Sequence, residues 1–338
     1  MTFVRIYHAG ARGGALVIAA LLLAAVAAGW YSMWTPGRSY RGPLAPLTAE
    51  EAALAKRLAR HVERLAGEIR ERNVWKHDAL EEAAGYVEGE LSGIGRYTVG
   101  SQTFDVQGRT VRNVEGEIKG TSRPEEIVVV GAHYDSVPGC PGADDNASGV
   151  AGLIELARAT GAIRPARTVR FVGFVNEEPP FFQTSEMGSL RYAARARDRG
   201  ERIVAMISVE SIGYYADARG SQRYPFPFNL FYPSTGAFIA FVANVGSRSL
   251  LHQAMRSFRS HARLPSEGAA APAAIEGIGW SDHWAFWQHR YPAIMVTDTA
   301  LFRYPHYHTG LDTPDRLDYA RMARLVAGLV RVVEDLAT

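Results

Sequence analysis

The segment 131–149, GAHYDSVPGCPGADDNASG, sets His133, Asp135, Asp144 and Asp145 in a glycine-rich stretch directly behind the apolar run Ile127-Val128-Val129-Val130. A buried strand that ends in a histidine and a loop of carboxylates is poor core material. Neutral imidazole and ionised carboxylate are, however, ligands that zinc accepts. Further on, Asn176-Glu177-Glu178, Glu210, and His306 with His308 each follow another apolar run. Any one of these residues is as readily a solvated loop residue as a ligand. Their joint arrival behind successive strands is hard to explain as packing, because an open α/β sheet binds ligands in the crevice beyond the carboxyl ends of its strands.

The chemistry fits two metal ions. Two zincs ~3.5–4 Å apart can share a bridging carboxylate and activate one water between them. Asp144, inside the glycine-rich loop, is a natural bridge, and Glu177 and Glu178 can divide metal binding and proton transfer between them. Competing signatures are absent: the chain contains no HExxH, GxSxG, P-loop, GxGxxG or CxxC pattern.

Elements able to position these residues follow from the hydrophobic pattern. Thr48-Ala49-Glu50-Glu51 reads as a capping box, opening a helix with Leu54, Leu58, Val62, Leu65 and Ile69 on one face. A second helix is expected over 78–92, strands over 97–104 and 111–118, and a buried strand over 127–132. Helices and strands then alternate: helix 147–159, strand 168–175, helix 187–199, strand 203–209, helices near 247–262 and 282–289, strand 293–297, helix 318–336. The stretch 211–235 reads as irregular. The pattern predicts an α/β fold, a three-layer α/β/α sandwich around a mixed, centrally parallel sheet.

Ahead of that domain, residues 15–29 (ALVIAALLLAAVAAG) are uncharged and almost wholly apolar, and Trp30, Tyr31, Met33 and Trp34 extend them. Two readings stand: a cleaved signal peptide, with Val26-Ala27-Ala28 as its cleavage site, or a retained membrane anchor ending in an aromatic belt. The aromatic extension favours the anchor, with the catalytic part outside the cytoplasm. Residues 1–34 are thus expected as anchor or signal, 35–47 as a Pro- and Gly-rich linker, and 48–338 as the catalytic domain with a helical lead-in. The formal net charge of +2, with no basic stripe, gives no case for nucleic acid. The single cysteine, Cys140, excludes an intrachain disulfide.

The motifs GAHYDS (131–136), PGADDNASG (141–149), NEE (176–178), ISVESIGY (207–214), WSDHWAF (280–286) and HTGLDTPDRLDY (308–319) together resemble the co-catalytic di-zinc aminopeptidases of clan MH, over roughly residues 74–336. The resemblance implies two zinc ions, one held by His133, Asp144 and Glu210, the other by Asp144, Glu178 and His308. It implies Glu177 as general base to a metal-bridging hydroxide, Asp135 orienting His133, and a cis peptide bond after the bridging aspartate, here Asp144–Asp145. It leaves Asp145 without a role in the site. Tyr307 stands where some relatives place an oxyanion-stabilising tyrosine; the other such place is occupied by Ile278. Position 210 is Glu where many relatives have Asp, and His306 is a rival of His308 on chemistry alone. Expected substrates are peptides with a free N-terminus. A glutaminyl-cyclase-like acyl transferase, a carboxypeptidase and a noncatalytic ectodomain are the competing readings.

Overall fold

The apolar run behind the histidine lies in β3 (Arg123–His133), which pairs in parallel with β4 (Arg167–Phe174) on one side and β5 (Arg202–Glu210) on the other. Alternate residues of that run face opposite ways: Val128 and Val130 join one core cluster, Ile127 and Val129 another. A strand apolar on both faces must be covered on both. The structure, a computed structural model, describes residues 29–338.

The sheet is completed by β1 (Thr98–Val106), β2 (Arg109–Ile118), β6 (Ile239–Ala243), β7 (Ser266–Ala270) and β8 (Ala293–Thr297), in the order β1-β2-β4-β3-β5-β8-β6-β7. Its four central strands are parallel, while β2 and β6 run antiparallel to their inner neighbours. The sequence pattern anticipated neither β6 nor β7. Together they extend the sheet beyond β8.

One face carries α1 (Ala49–Val62), α2 (His77–Gly93), α3 (Gly149–Thr160), α5 (Arg248–His261) and α7 (Tyr319–Ala337), through residues such as Leu58, Leu80, Ile154, Phe258 and Leu325. The other carries α4 (Gly188–Asp198) and α6 (His283–Gln288), through Tyr192, Ala196 and Phe286. The capping box forms: Glu51 N–H donates to Thr48 Oγ1 at 3.1 Å and Thr48 N–H to Glu51 Oε2 at 2.8 Å. A buried polar stitch joins three helices, with Glu155 of α3 accepting Arg57 Nε at 2.7 Å and lying 3.1 Å from His61 Nε2, whose Nδ1 is 2.6 Å from the Tyr86 hydroxyl.

The expected anchor or signal lies, up to residue 28, outside the described residues. Among the described ones no helix is long and apolar enough to cross a membrane. Residues 29–33 are helical and 35–47 contain no helix or strand. The latter stretch is tied to the domain by Arg259, which donates to Thr35 Oγ1 and to the Pro36 carbonyl at 3.0 Å each, and by Ser39, which accepts from Ser266 N–H at 2.9 Å.

Candidate metal centre

Each central strand delivers its chemistry at the same edge. β3 ends on His133, β4 runs into Asn176-Glu177-Glu178, β5 ends on Glu210, and the loop after β8 carries His308. The backbone is held in the left-handed region at Asn176 (φ 58°), Ser211 (φ 44°) and His308 itself (φ 56°). Such positions cost about 1–2 kcal/mol each for non-glycine residues and persist only where surrounding structure enforces them. Here all three flank or carry a residue of the cluster.

The side chains converge into two overlapping groups. His133, Asp145 and Glu210 bring one ligand atom each within 4.8 Å of one another, and so do Asp145, Glu178 and His308. His133 Nε2 is 3.2 Å from Asp145 Oδ1 and 3.3 Å from Glu210 Oε2. His308 Nε2 is 3.0 Å from Asp145 Oδ2 and 3.1 Å from Glu178 Oε2. Asp145 therefore faces both groups, one oxygen to each.

This corrects the expectation for Asp144. Its Oδ1 accepts Gly213 N–H at 2.8 Å, and its carboxyl lies beside Asp298 and belongs to neither group. Burial, then the neighbouring Asp298 and Asp312, push its pKa well above the usual carboxylate range. The cis peptide bond also falls one residue later than expected, at Asp145–Asn146. The cause is local. Asp145 (φ −107°, ψ 93°) and Asn146 (φ −132°, ψ 36°) leave helical geometry within the turn Ala143–Ser148, so successive side chains do not follow a helical progression. Asn146 is fixed by bonds from its Nδ2 to Val209 O (2.9 Å) and from Ser211 N–H to its Oδ1 (3.0 Å). Gly213 must lack a side chain, since a Cβ there would stand 2.9 Å from Asp144 Oδ1 and 2.8 Å from Leu317.

The supporting residues are as telling. Asp135 Oδ1 is 3.5 Å from His133 Nδ1, and its two oxygens accept the N–H groups of Glu177 and Glu178 at 3.2 Å each. One carboxylate thus ties the end of β4 to the end of β3. Glu210 accepts Ser281 Oγ at 2.8 Å and Ser211 Oγ at 3.0 Å. Arg72, fully buried, donates to the carbonyls of Tyr134, Pro141 and Gly142 at 2.6, 2.5 and 2.8 Å and so moulds the loop after β3. Asp312 accepts the N–H groups of Asp144 and Asp145. Arg72 gave no sequence signal. Asp312 lies inside the motif that contains His308, which could have flagged it.

The electrostatics call for a cation. Burial first, and neighbouring carboxylates next, push Glu178 up to about 7, while Glu177 and Glu210 are also raised by burial and by the acids around them. Both nitrogens of His133 and Oδ1 of Asp145 are buried without a hydrogen-bond partner. Buried polar atoms are normally satisfied. Two imidazoles and three carboxylates converging with orphaned ligand atoms form a donor set that fits divalent zinc.

Tyr307 stacks on His308 with ring centroids 3.8 Å apart and lines, with Glu210, an apolar cleft walled by Phe228, Tyr232, Met295 and Trp280. Ile278 also lines it. His306 belongs to neither group of the cluster. Asp282 is buried without a partner for either oxygen, and His283 Nε2 donates to the Ile278 carbonyl at 2.8 Å. Cys140 Sγ is 3.9 Å from Asp312 and outside both groups.

Comparison with known proteins agrees with this arrangement. The sequence profile of Peptidase family M28 matches residues 113–333. The chain is 37% identical over 297 residues to "Uncharacterized protein YfbL" of Escherichia coli (strain K12), covering 85% of this chain and 90% of that one. It is 27% identical over 263 residues to leucine aminopeptidase 1 of Arthroderma otae, covering 71% of this chain and 62% of that longer protein. Its fold is similar to that of BSAP, a zinc aminopeptidase from Bacillus subtilis, with TM-score 0.69 at 14% identity over 84% of this chain and 95% of that one. It is also similar to glutaminyl cyclase of Fimbriiglobus ruber, with TM-score 0.63 at 19% identity over 88% and 98%.

Proposed function

This chain belongs to peptidase family M28 and is a zinc metallopeptidase, and we propose that it is an aminopeptidase working with two zinc ions. His133, Asp145 and Glu210 would hold one ion, and Asp145, Glu178 and His308 the other, with Asp145 as the shared ligand. Bound zinc polarises a carbonyl and brings the pKa of water toward neutrality. The protein's own groups do the rest. Glu177, buried and raised in pKa, takes the proton of the attacking water and returns it to the departing amine. Asp135 keeps Glu177 in place through the backbone. The Tyr307 hydroxyl donates to the oxygen that gains charge at the substrate carbonyl.

The observation that carries this reading is the junction of cluster and cleft. Glu210 belongs to the metal-binding group and, with Tyr307, also lines the apolar cleft, so a side chain seated there sits directly beside the ligands. Hydrolysis of aminoacyl amides with a free amine, and none of their N-acetylated forms, is the expected result. Cleavage only of N-blocked peptides that end in a free carboxylate would point to a carboxypeptidase instead. The likeness to a glutaminyl cyclase supports a second reading, acyl transfer within an N-terminal glutaminyl peptide. Ammonia release without peptide cleavage would favour it.

The apolar stretch 15–29 and the aromatics behind it support a domain tethered to a membrane and lying outside the cytoplasm.

A further inference from the structure

Trp30, Tyr31 and Trp34, which directly follow the apolar stretch, are exposed by 68%, 49% and 45%. Tyr31 and Trp34 are nonetheless held in place. The Arg248 guanidinium lies 3.9 Å above the Tyr31 ring and 5.8 Å from that of Trp34, and Arg248 Nε donates to Tyr31 O at 3.0 Å. His252 lies 3.1 Å from Trp34 O and packs edge-on against its ring, with centroids 5.1 Å apart. The helix that supplies these partners, α5, reads RSLLHQAMRSFRSH and contains no acid. Its outer face adds exposed Ser249, Gln253 and Arg256, and exposed Val245 sits just before it. Ordered, exposed aromatics beside unneutralised arginines are unusual on a water-facing surface, and they are the composition of a lipid headgroup boundary.

Topology says which way this face points. The candidate metal centre lies beyond the C-terminal ends of β3, β4, β5 and β8. β6 runs antiparallel to β8, with Ala243 opposite Ile294 and Ala240 opposite Thr297. The end of β6, and the start of α5 that follows it, therefore stand at the opposite edge of the sheet. From there residues 35–39 run along α5 toward Arg259 and Ser266.

We propose that the face formed by Trp30, Tyr31, Trp34 and the Arg248–Arg256 side of α5 rests on an anionic phospholipid surface, so that the metal centre opens away from the bilayer. The occupant follows from what is already present. The uncharged stretch 15–29 ends at this very patch, and the arginines complement lipid phosphate. The proposal rests on the reading of the N-terminal segment as an anchor and is independent of which peptide bond is cut.

The test uses the full chain in nanodiscs. A spin label is placed at Gln253→Cys or, as control, at Arg219→Cys, in the exposed loop beyond β5 at the catalytic edge; Cys140 is buried and does not compete. In discs containing phosphatidylglycerol, the label at 253 should show at least a threefold higher ratio of oxygen to nickel-chelate accessibility than in detergent, and the label at 219 no change. Arg248→Glu with Arg256→Glu should abolish the rise at 253 while hydrolysis of soluble peptides stays unchanged. A label at 253 as water-exposed in anionic discs as that at 219 overturns the proposal. So does protection at 253 already present in detergent with dipolar broadening between labels, which marks a second copy as the occupant. A chain that does not remain with the discs defeats the anchor and the docking face together, and leaves the peptidase reading untouched.

Discussion

The carboxylate of Asp312 accepts the backbone N–H of Asp145 at 3.2 Å, and its other oxygen takes the N–H of Asp144 at 2.8 Å. Both acids in the glycine-rich loop are thus oriented by a residue four positions beyond His308, so the two halves of the cluster are tied through one side chain. In Asp312→Asn, one oxygen is replaced by an amide that meets an N–H head-on. Zinc affinity should fall about 10–100-fold, the usual cost of losing a group that orients a ligand. Zinc content after dialysis against graded chelator reads this, with circular dichroism confirming the fold. Retention equal to that of the unaltered protein would show that the bond merely closes a turn.

Asp145 and Asp144 are neighbours with opposite expected behaviour. Asp145→Ala removes the only residue shared by both groups and should lose most bound zinc. Asp144→Asn should keep zinc, because its side chain faces Gly213 and Asp298. Metal analysis of the two variants side by side separates them. The reverse order would restore Asp144 as the bridge.

Glu177→Gln keeps the hydrogen bond from the residue's own N–H to Asp135 and leaves both metal groups intact. Zinc content should be unchanged while turnover falls about 10²–10⁴-fold, the range of a lost general base. Turnover near the original would remove Glu177 from proton transfer.

A pH prediction concerns the fold rather than the site. Burial pushes the Glu155 carboxyl up, but the His61, Arg57 and Arg158 partners outweigh it and hold it at about 2. The folded value lies below the unfolded one of about 4.3, so this contribution is fully present above that pH and fades as pH falls toward about 2. Glu155→Gln should be less stable by about 2 kcal/mol at pH 7, with the gap narrowing below pH ~4.5. Urea unfolding at several pH values reads the gap, and a constant difference from pH 7 to pH 3 would count against it.

The four central strands and their terminal residues were legible because each is a short apolar run followed by an acid or histidine, a break in pattern that composition alone shows. β6 and β7 were not. Ile239–Ala243 is five residues long, just behind a stretch rich in Tyr, Phe and Pro, and Ser266–Ala270 (SEGAA) has no β-branched or aromatic residue. The loop's composition pointed to Asp144, whereas Asp145 is the residue common to both groups of ligand atoms, because which side chain faces them depends on two non-helical residues inside a single turn. Arg72 was invisible for another reason: its donors go to backbone carbonyls, which leave no trace in the identity of their residues.

Arg72 lies well ahead of the region matched to the family. The profile match starts at residue 113, yet the guanidinium that shapes the loop after β3 belongs to residue 72, and Ser136 N–H also donates to the Arg72 carbonyl at 2.9 Å. A chain trimmed to the matched region would leave the Tyr134, Pro141 and Gly142 carbonyls turned inward with no donor to meet them. The matched region is therefore smaller than the set of residues that satisfies this loop's buried carbonyls. Arg72 sits in the short link between the helical segment that ends at Ile69 and the turn that starts at Val74, so that link is part of the support of the loop carrying Asp145.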